Sequence, residues 1–209
     1  MNSTVMLTVL INAGGASTRM GRHKALLPVP PDDRPLLAHL VALVGRAGLG
    51  PVLVVANHAP VAAAVADMPG VTLLADESTG LGPLAGLVTG LAHAPEWLLM
   101  LACDLPLLHP ALLRYLADAA AEVGAAADAI VPVVDGHYQA LCALYHRRCL
   151  PQAQAMLAAG ELRVRDLFGR VAVRAVHEAE LRTVDPALLS FRNANTPAEW
   201  AELRAMLAR

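Results

Sequence analysis

The chain has 209 residues, 56% of them hydrophobic, with 16 basic and 18 acidic side chains and a formal charge of -2. That length suits one domain with a sizeable core. The near-neutral balance with scattered aromatics excludes an extended nucleic-acid stripe, and apolar runs interrupted by Arg, Asp, His, Gly or Pro exclude a transmembrane helix.

The segment Met1-Asn2-Ser3-Thr4 lacks the basic region of a signal peptide, so a cytoplasmic setting is expected. Cys103, Cys142 and Cys149 form no C-x-x-C pair and are expected to be reduced, buried thiols. A run of strand length, Val5–Ile11, leads into Ala13-Gly14-Gly15-Ala16-Ser17-Thr18-Arg19-Met20-Gly21-Arg22-His23-Lys24. The segment from Pro28 to Pro35 reads as a lid or hairpin. Helix Leu36–Ala47, strand Val52–Ala56, helix Pro60–Ala66, strand Val71–Ala75 and helix Pro83–His93 follow. Strand Trp97–Ala102, helix Pro110–Val123 and strand Ala129–Val134 continue the series. Pro60, Pro83 and Pro110 sit where a first helical turn tolerates proline. Such alternation predicts an α/β fold with a mostly parallel central sheet and helices on both faces.

After Val134 the alternation breaks. Strand Gln139–Tyr145, helices Cys149–Ala159 and Val164–Phe168, strand Val171–Val176 and a closing helix Pro197–Leu207 are expected to lay a pocket wall over the same sheet, making 1–209 one domain.

The chemistry begins in the Gly-rich segment. Glycines let backbone N–H groups converge on a phosphate, while Arg19 offers a planar fork and Lys24 a mobile point charge. The same residues fit an ordinary strand-to-loop turn with two solvated cations. The spacing matches neither a Walker loop nor a Gly-x-Gly-x-x-Gly fingerprint.

In an open parallel sheet, ligands bind beyond the carboxyl ends of the strands. The residues that follow the first four long strands are the Gly-rich loop, Asn57, Asp76 and Asp104. Asp104 suits a hard cation that also takes phosphate oxygens, and equally a helix N-cap. Asp76 precedes Gly82-Pro83-Leu84-Ala85-Gly86, a turn into a helix whose N-terminus favours an anion, although loop solvation is a plainer role. Asn57 fits a base-edge contact or a self-bonded turn. Asn193-Ala194-Asn195-Thr196-Pro197 sets two amides before a helix, with Asn195 or Thr196 as its cap. The histidines form no spaced ligand set.

Taken together, A-G-G-x-S-x-R-M-G-x-x-K at 13–24, G-P-L-A-G at 82–86, C-D-L-P at 103–106 and N-x-N-T-P at 193–197 resemble the molybdenum cofactor guanylyltransferase (MobA-like) family. The segment Tyr138–Tyr145 also resembles that family's strand after the metal site. The resemblance spans nearly the whole chain. It implies a Rossmann-like nucleotidyltransferase fold and a Mg²⁺-dependent transfer of GMP from GTP to molybdopterin, with release of pyrophosphate.

By the same resemblance, Asn12, Ala13, Gly14 and Gly15 would cradle the nucleotide, with Arg19 and Lys24 on the phosphates. Asn57 and Asp76 would contact guanosine, Gly82 would shape the base and ribose pocket, and Asp104 would bind Mg²⁺. Asn193 and Asn195 would face the pterin phosphate or the metal shell. Implied partners are GTP, molybdopterin, cofactor-delivery proteins and target molybdoenzymes, without nucleic acid or membrane. Asn12 stands where the family usually carries an apolar residue, and Ala194 where a bulkier one is common. A cytidylyltransferase or sugar-phosphate nucleotidyltransferase on the same scaffold is the alternative.

Overall fold

A computed structural model describes residues 5–14, 23–75 and 81–208. Its first strand, β1 (Leu7–Asn12), lies between two other apolar strands, β4 (Val52–Val55) and β6 (Trp97–Ala102), and is parallel to both. β5 (Val71–Leu74) pairs parallel with β4 and closes that edge. On the other side β9 (Cys142–His146) pairs antiparallel with β6 and with β7 (Ala129–Val134). β10 (Val173–Val176) is parallel to β7 at the far edge. The strand order is β10-β7-β9-β6-β1-β4-β5.

The strands are continuous apolar runs because both faces of the sheet are covered. Val9 and Ile11 of β1 share one buried cluster with Trp97, Leu99 and Leu101 of β6. Their neighbours Leu10, Leu98 and Met100 belong to a second cluster, as a side-chain period of two requires. Helices α1 (Leu36–Arg46) and α4 (Pro110–Val123) supply the first cluster. Helices α3 (Pro83–His93) and α5 (Leu150–Ala158) supply the second. The expected α/β architecture is therefore observed, with helices on both faces.

The remaining elements are short or late in the chain. β2 (Pro28–Val29) and β3 (Arg34–Pro35) form the hairpin expected at 28–35. The helix expected at 60–66 is the single turn α2 (Ala59–Ala63), and the one at 164–168 is a 3-10 segment, Val164–Gly169. Sequence periodicity passes over β8 (His137–Tyr138), which folds back on β7 across Asp135-Gly136. Both turn residues have positive φ, 51° and 72°, the geometry for which Asp-Gly is favoured in two-residue hairpins. The short helix α6 (Glu178–Leu181) is also unanticipated, while α7 (Pro197–Leu207) closes the chain as expected.

Chain direction determines where the site lies. From β1 the chain builds outward through β4 to β5, then returns to place β6 on β1's opposite side. The carboxyl ends of β1 and β6 therefore flank the point where strand order reverses, the crevice in which open α/β sheets bind ligands. Asn12 and Ala102 are register partners at that end.

Candidate active site

Lys24 is the first residue of a 3-10 turn, Lys24–Leu26, fixed at its start by His23, whose Nδ1 accepts from the Ala25 amide at 3.3 Å. Ala25 is fully buried, which anchors the turn. From this base the Lys24 ammonium donates to Asp104 Oδ2 at 3.0 Å and to Asn195 Oδ1 at 2.7 Å. The Lys24 and Asp104 side chains are only 17% and 16% exposed, so the pair interacts through a medium less screening than bulk water.

Asp104 lies two positions beyond β6 and holds the C-terminal segment twice. Its carbonyl accepts from the Ala194 amide at 3.0 Å, and its carboxylate reaches Asn195 through Lys24. Its other carboxylate oxygen, Oδ1, is buried and has no hydrogen-bond partner among the described residues. Asp104 thus does not serve as the helix cap that its sequence context also allowed: α4 begins six residues later, capped by His109 Nδ1 on the Ala111 amide. Beside it, burial pushes the Cys103 thiol up to about 12, helped by the Asp104 charge and opposed by Lys24. Burial raises Cys142 and Cys149 to about 12 as well, which favours the protonated thiol at neutral pH; Cys142 and Cys149 are buried as expected, whereas Cys103 is partly exposed.

Asn195 is positioned by the start of α7. Thr196 is the N-cap, its hydroxyl accepting from the Glu199 amide at 3.2 Å. Glu199 Oε2 reaches back to the amides of Thr196 at 2.9 Å and Asn195 at 2.8 Å. Farther upstream, buried Asp185 accepts from the Leu189 and Ser190 amides at 3.1 and 2.9 Å, and Ser190 Oγ accepts from the His109 amide. That knot ties the approach to Asn193 onto the start of α4, and sequence periodicity carries no sign of it.

The other expected residues that the structure describes lie around the same end of the sheet. Ala13 is buried and donates its amide to the Val55 carbonyl of β4 at 2.9 Å. Asn12 Oδ1 accepts from the Gly14 amide at 3.3 Å. Asn57 is exposed just past β4. Gly82 caps α3 with φ 74° and ψ -165°, a conformation open to glycine and strained for other residues. Gly15, Arg19 and Asp76 lie outside the described residues.

Asn193 opens onto a cavity of about 530 Å³, bounded by Ala102 at the end of β6 and Leu105 beyond it, Tyr138–Cys142 and Leu162–Arg165. Two departures from expectation shape this wall. The strand expected from Gln139 begins at Cys142, because the Gln139 amide bonds the Pro132 carbonyl and the Cys142 amide bonds the Gln139 carbonyl. Residues 139–141 are thereby released to line the cavity. Arg163 and Arg165 lie on its rim around buried Val164, a basic pair that helix-centred reading of that segment does not single out.

The family model for the MobA-like NTP transferase domain matches residues 9–177. The chain belongs to the MobA-like NTP transferase family. Membership in this MobA-like family makes the protein a nucleotidyltransferase. A protein of Pelotomaculum thermopropionicum, named a probable molybdenum cofactor guanylyltransferase, is 32% identical over 95% of this chain and 92% of its own. A relative of the same name from Methanothermobacter thermautotrophicus is 34% identical over 92% and 96%. The MobA-like fold is also that of molybdopterin-guanine dinucleotide biosynthesis protein A from Archaeoglobus fulgidus. That crystal structure superposes with a TM-score of 0.80 at 22% identity, over 95% of this chain and 97% of the other.

Proposed function

We propose that the protein transfers GMP from GTP to the terminal phosphate of molybdopterin, working in the cytoplasm with residues 1–209 as one unit. The observation that carries this reading is the Lys24 ammonium at the switch-point crevice, held between Asp104 and Asn195. One cation there serves a nucleotide entering over the strand ends and an acceptor entering from the cavity beside Asn193. The names of the relatives support a guanylyl donor and the molybdenum cofactor as acceptor.

In this reading Gly14, Gly15, Arg19 and Lys24 hold the GTP phosphates, with Asn12 and Ala13 at the root of that loop. Asn57, Asp76 and Gly82 take the guanosine. Asn193 and Asn195 take the pterin side, and the 530 Å³ cavity has the size of a small-molecule pocket.

The buried Oδ1 of Asp104, which has no hydrogen-bond partner among the described residues, fits a hard cation. Among the described residues no group of three or more His, Cys, Asp or Glu side chains converges on a metal, so Asp104 would hold Mg²⁺ together with phosphate oxygens and water. When bound, Mg²⁺ supplies charge neutralisation at the phosphates. The acceptor's phosphate oxygen attacks the α-phosphorus of GTP in line. A new P–O bond forms as the bond to the β-phosphate oxygen breaks, and pyrophosphate leaves with that electron pair. No protein nucleophile is required. Lys24 steadies the charge that grows on the phosphoryl oxygens, and the Lys24 turn with the segment before α7 orients the two phosphates. The product is passed on through contacts with cofactor-delivery proteins and target molybdoenzymes.

The test is pyrophosphate release with molybdopterin, Mg²⁺ and each of GTP, CTP, ATP and UTP. GTP-dependent turnover dependent on both molybdopterin and Mg²⁺ is expected. A preference for CTP moves the assignment to the cytidylyl alternative, and turnover with a sugar phosphate in place of molybdopterin overturns the acceptor.

A further inference from the structure

Asn12 is the last residue of β1, between Val55 of β4 and Ala102 of β6. Its side chain is engaged on two sides. Oδ1 accepts the Gly14 amide at 3.3 Å, closing an Asx turn that bends the chain off the strand. The amide group also lies against α3: a Cβ built on Gly86 would meet Asn12 Nδ2 at 2.8 Å, Cγ at 3.0 Å and Oδ1 at 3.2 Å. Gly86 is buried within a regular helix, where glycine is costly relative to alanine. The space that Asn12 occupies gives a reason for it.

We propose that Asn12 and Gly86 form one positioning device for the nucleotide. Asn12 sets the direction in which the chain leaves β1 at the switch-point crevice, and the missing side chain at Gly86 leaves room for the amide that does so. The inference rests on the nucleotide site described above and adds a specific role: the Asn12 side chain is committed inward, to Gly14 and α3, and does not read the base. A methyl group at position 86 has to displace the Asn12 amide and so breaks the Asx turn from a distance. Asn12→Ala breaks the same turn directly while clearing the space.

The two substitutions are therefore coupled, and a double-mutant cycle reads that coupling. GTP and CTP binding are measured by titration calorimetry on wild type, Asn12→Ala, Gly86→Ala and the double variant, alongside KM and kcat for whichever nucleotide the wild type uses. Each single change is expected to weaken nucleotide binding roughly fivefold, the scale of one lost hydrogen bond. The double variant is expected to bind no more weakly than Asn12→Ala alone. The effect is expected in KM for the nucleotide, equally for GTP and CTP, with kcat and the acceptor KM little changed.

Melting temperature supplies the second readout, because Gly86→Ala is expected to lower it in the wild type and to raise it in the Asn12→Ala background. Independent, multiplicative losses in the double variant, or a change of preference between GTP and CTP in Asn12→Ala, would overturn the positioning role. A wild type that binds neither nucleotide would instead overturn the nucleotide site itself. If Gly86→Ala does not fold, recovery of folding in the double variant supports the coupling, and failure of both overturns it.

Discussion

Lys24 and Asp104 are 80 positions apart in the chain, yet the ammonium of one lies 3.0 Å from the carboxylate of the other. The contact joins the turn after the Gly-rich segment to the end of β6, and Asn195 brings the approach to α7 into the same cluster. Three separately folded segments thus converge on one charge pair, so the geometry exists only when the sheet and its C-terminal cover are complete.

Removing either member should abolish most of the chemistry while sparing the fold. In the proposed reading Lys24→Ala removes the cation that would face the phosphates, and Asp104→Ala removes the oxygen suited to a metal. Loss of one preorganised electrostatic group typically lowers kcat by about 10²- to 10³-fold. We expect each variant to keep a wild-type far-ultraviolet dichroism spectrum and to fall at least that far in pyrophosphate release. Asp104→Ala should in addition lose any Mg²⁺-dependent rise in melting temperature with GTP. Full turnover in either variant would remove the pair from the mechanism.

Much of this arrangement was legible in the sequence, for a physical reason. Strands buried on both faces must be apolar throughout, so runs such as Trp97–Ala102 announce themselves, and polar residues just beyond them, such as Asp104, stand out. Pairing direction leaves a weaker trace. Nothing within Cys142–His146 indicates that β9 runs antiparallel between β6 and β7, although Asp135-Gly136 upstream signals the reversal that makes it possible. Contacts across large separations leave no periodicity at all, which is why the bonds from Lys24 to Asn195 and from His109 to Ser190 emerge only in three dimensions.

Asp185 should prove to be a structural support with a consequence for the site. Asp185→Ala strands the Leu189 and Ser190 amides, which at present bond its two carboxylate oxygens. A buried donor left without a partner costs about 1–3 kcal/mol. Urea unfolding should register that loss, and, if molybdopterin is the acceptor as proposed, its KM should rise because Asn193 follows the same segment. Unchanged stability would show that water replaces the carboxylate without penalty.

Gly90 tests how tightly α3 lies on the sheet. A Cβ there would meet Leu98 Cδ2 at 2.7 Å and Leu10 Cδ2 at 2.8 Å, both on fully buried residues of central strands. Overpacking of this type costs about 1–3 kcal/mol, outweighing or cancelling the gain of up to about 1 kcal/mol from alanine in a helix. Gly90→Ala should therefore lower the urea midpoint or leave it flat, with kcat retained. A clear rise in stability would mean that α3 can shift away from β1 and β6 at little cost.

Acid sensitivity should trace to histidines before carboxylates. Burial lowers the pKa of His23, with the neighbouring His58 charge adding to the effect; their rings stack with centroids 5.5 Å apart. Burial also lowers His39 and His146; for His39 the bond from Nε2 to the Pro106 carbonyl opposes the shift without reversing it. For a histidine whose folded pKa lies below its ordinary value of 6.5, the unfolded chain binds the proton more readily. Stability is then fully present above that value and is lost as pH falls through it. Carboxylates with lowered pKa, such as Glu178 and Glu199, have ordinary values of 4.5 and contribute their loss only at lower pH. Between about pH 7.5 and about 5.5 the decline in urea midpoint therefore belongs mainly to the histidines. Replacing His39 with Gln should flatten that decline, because one buried group no longer resists protonation. An unchanged slope in the variant would show that the His39 environment accepts the proton as readily as water does.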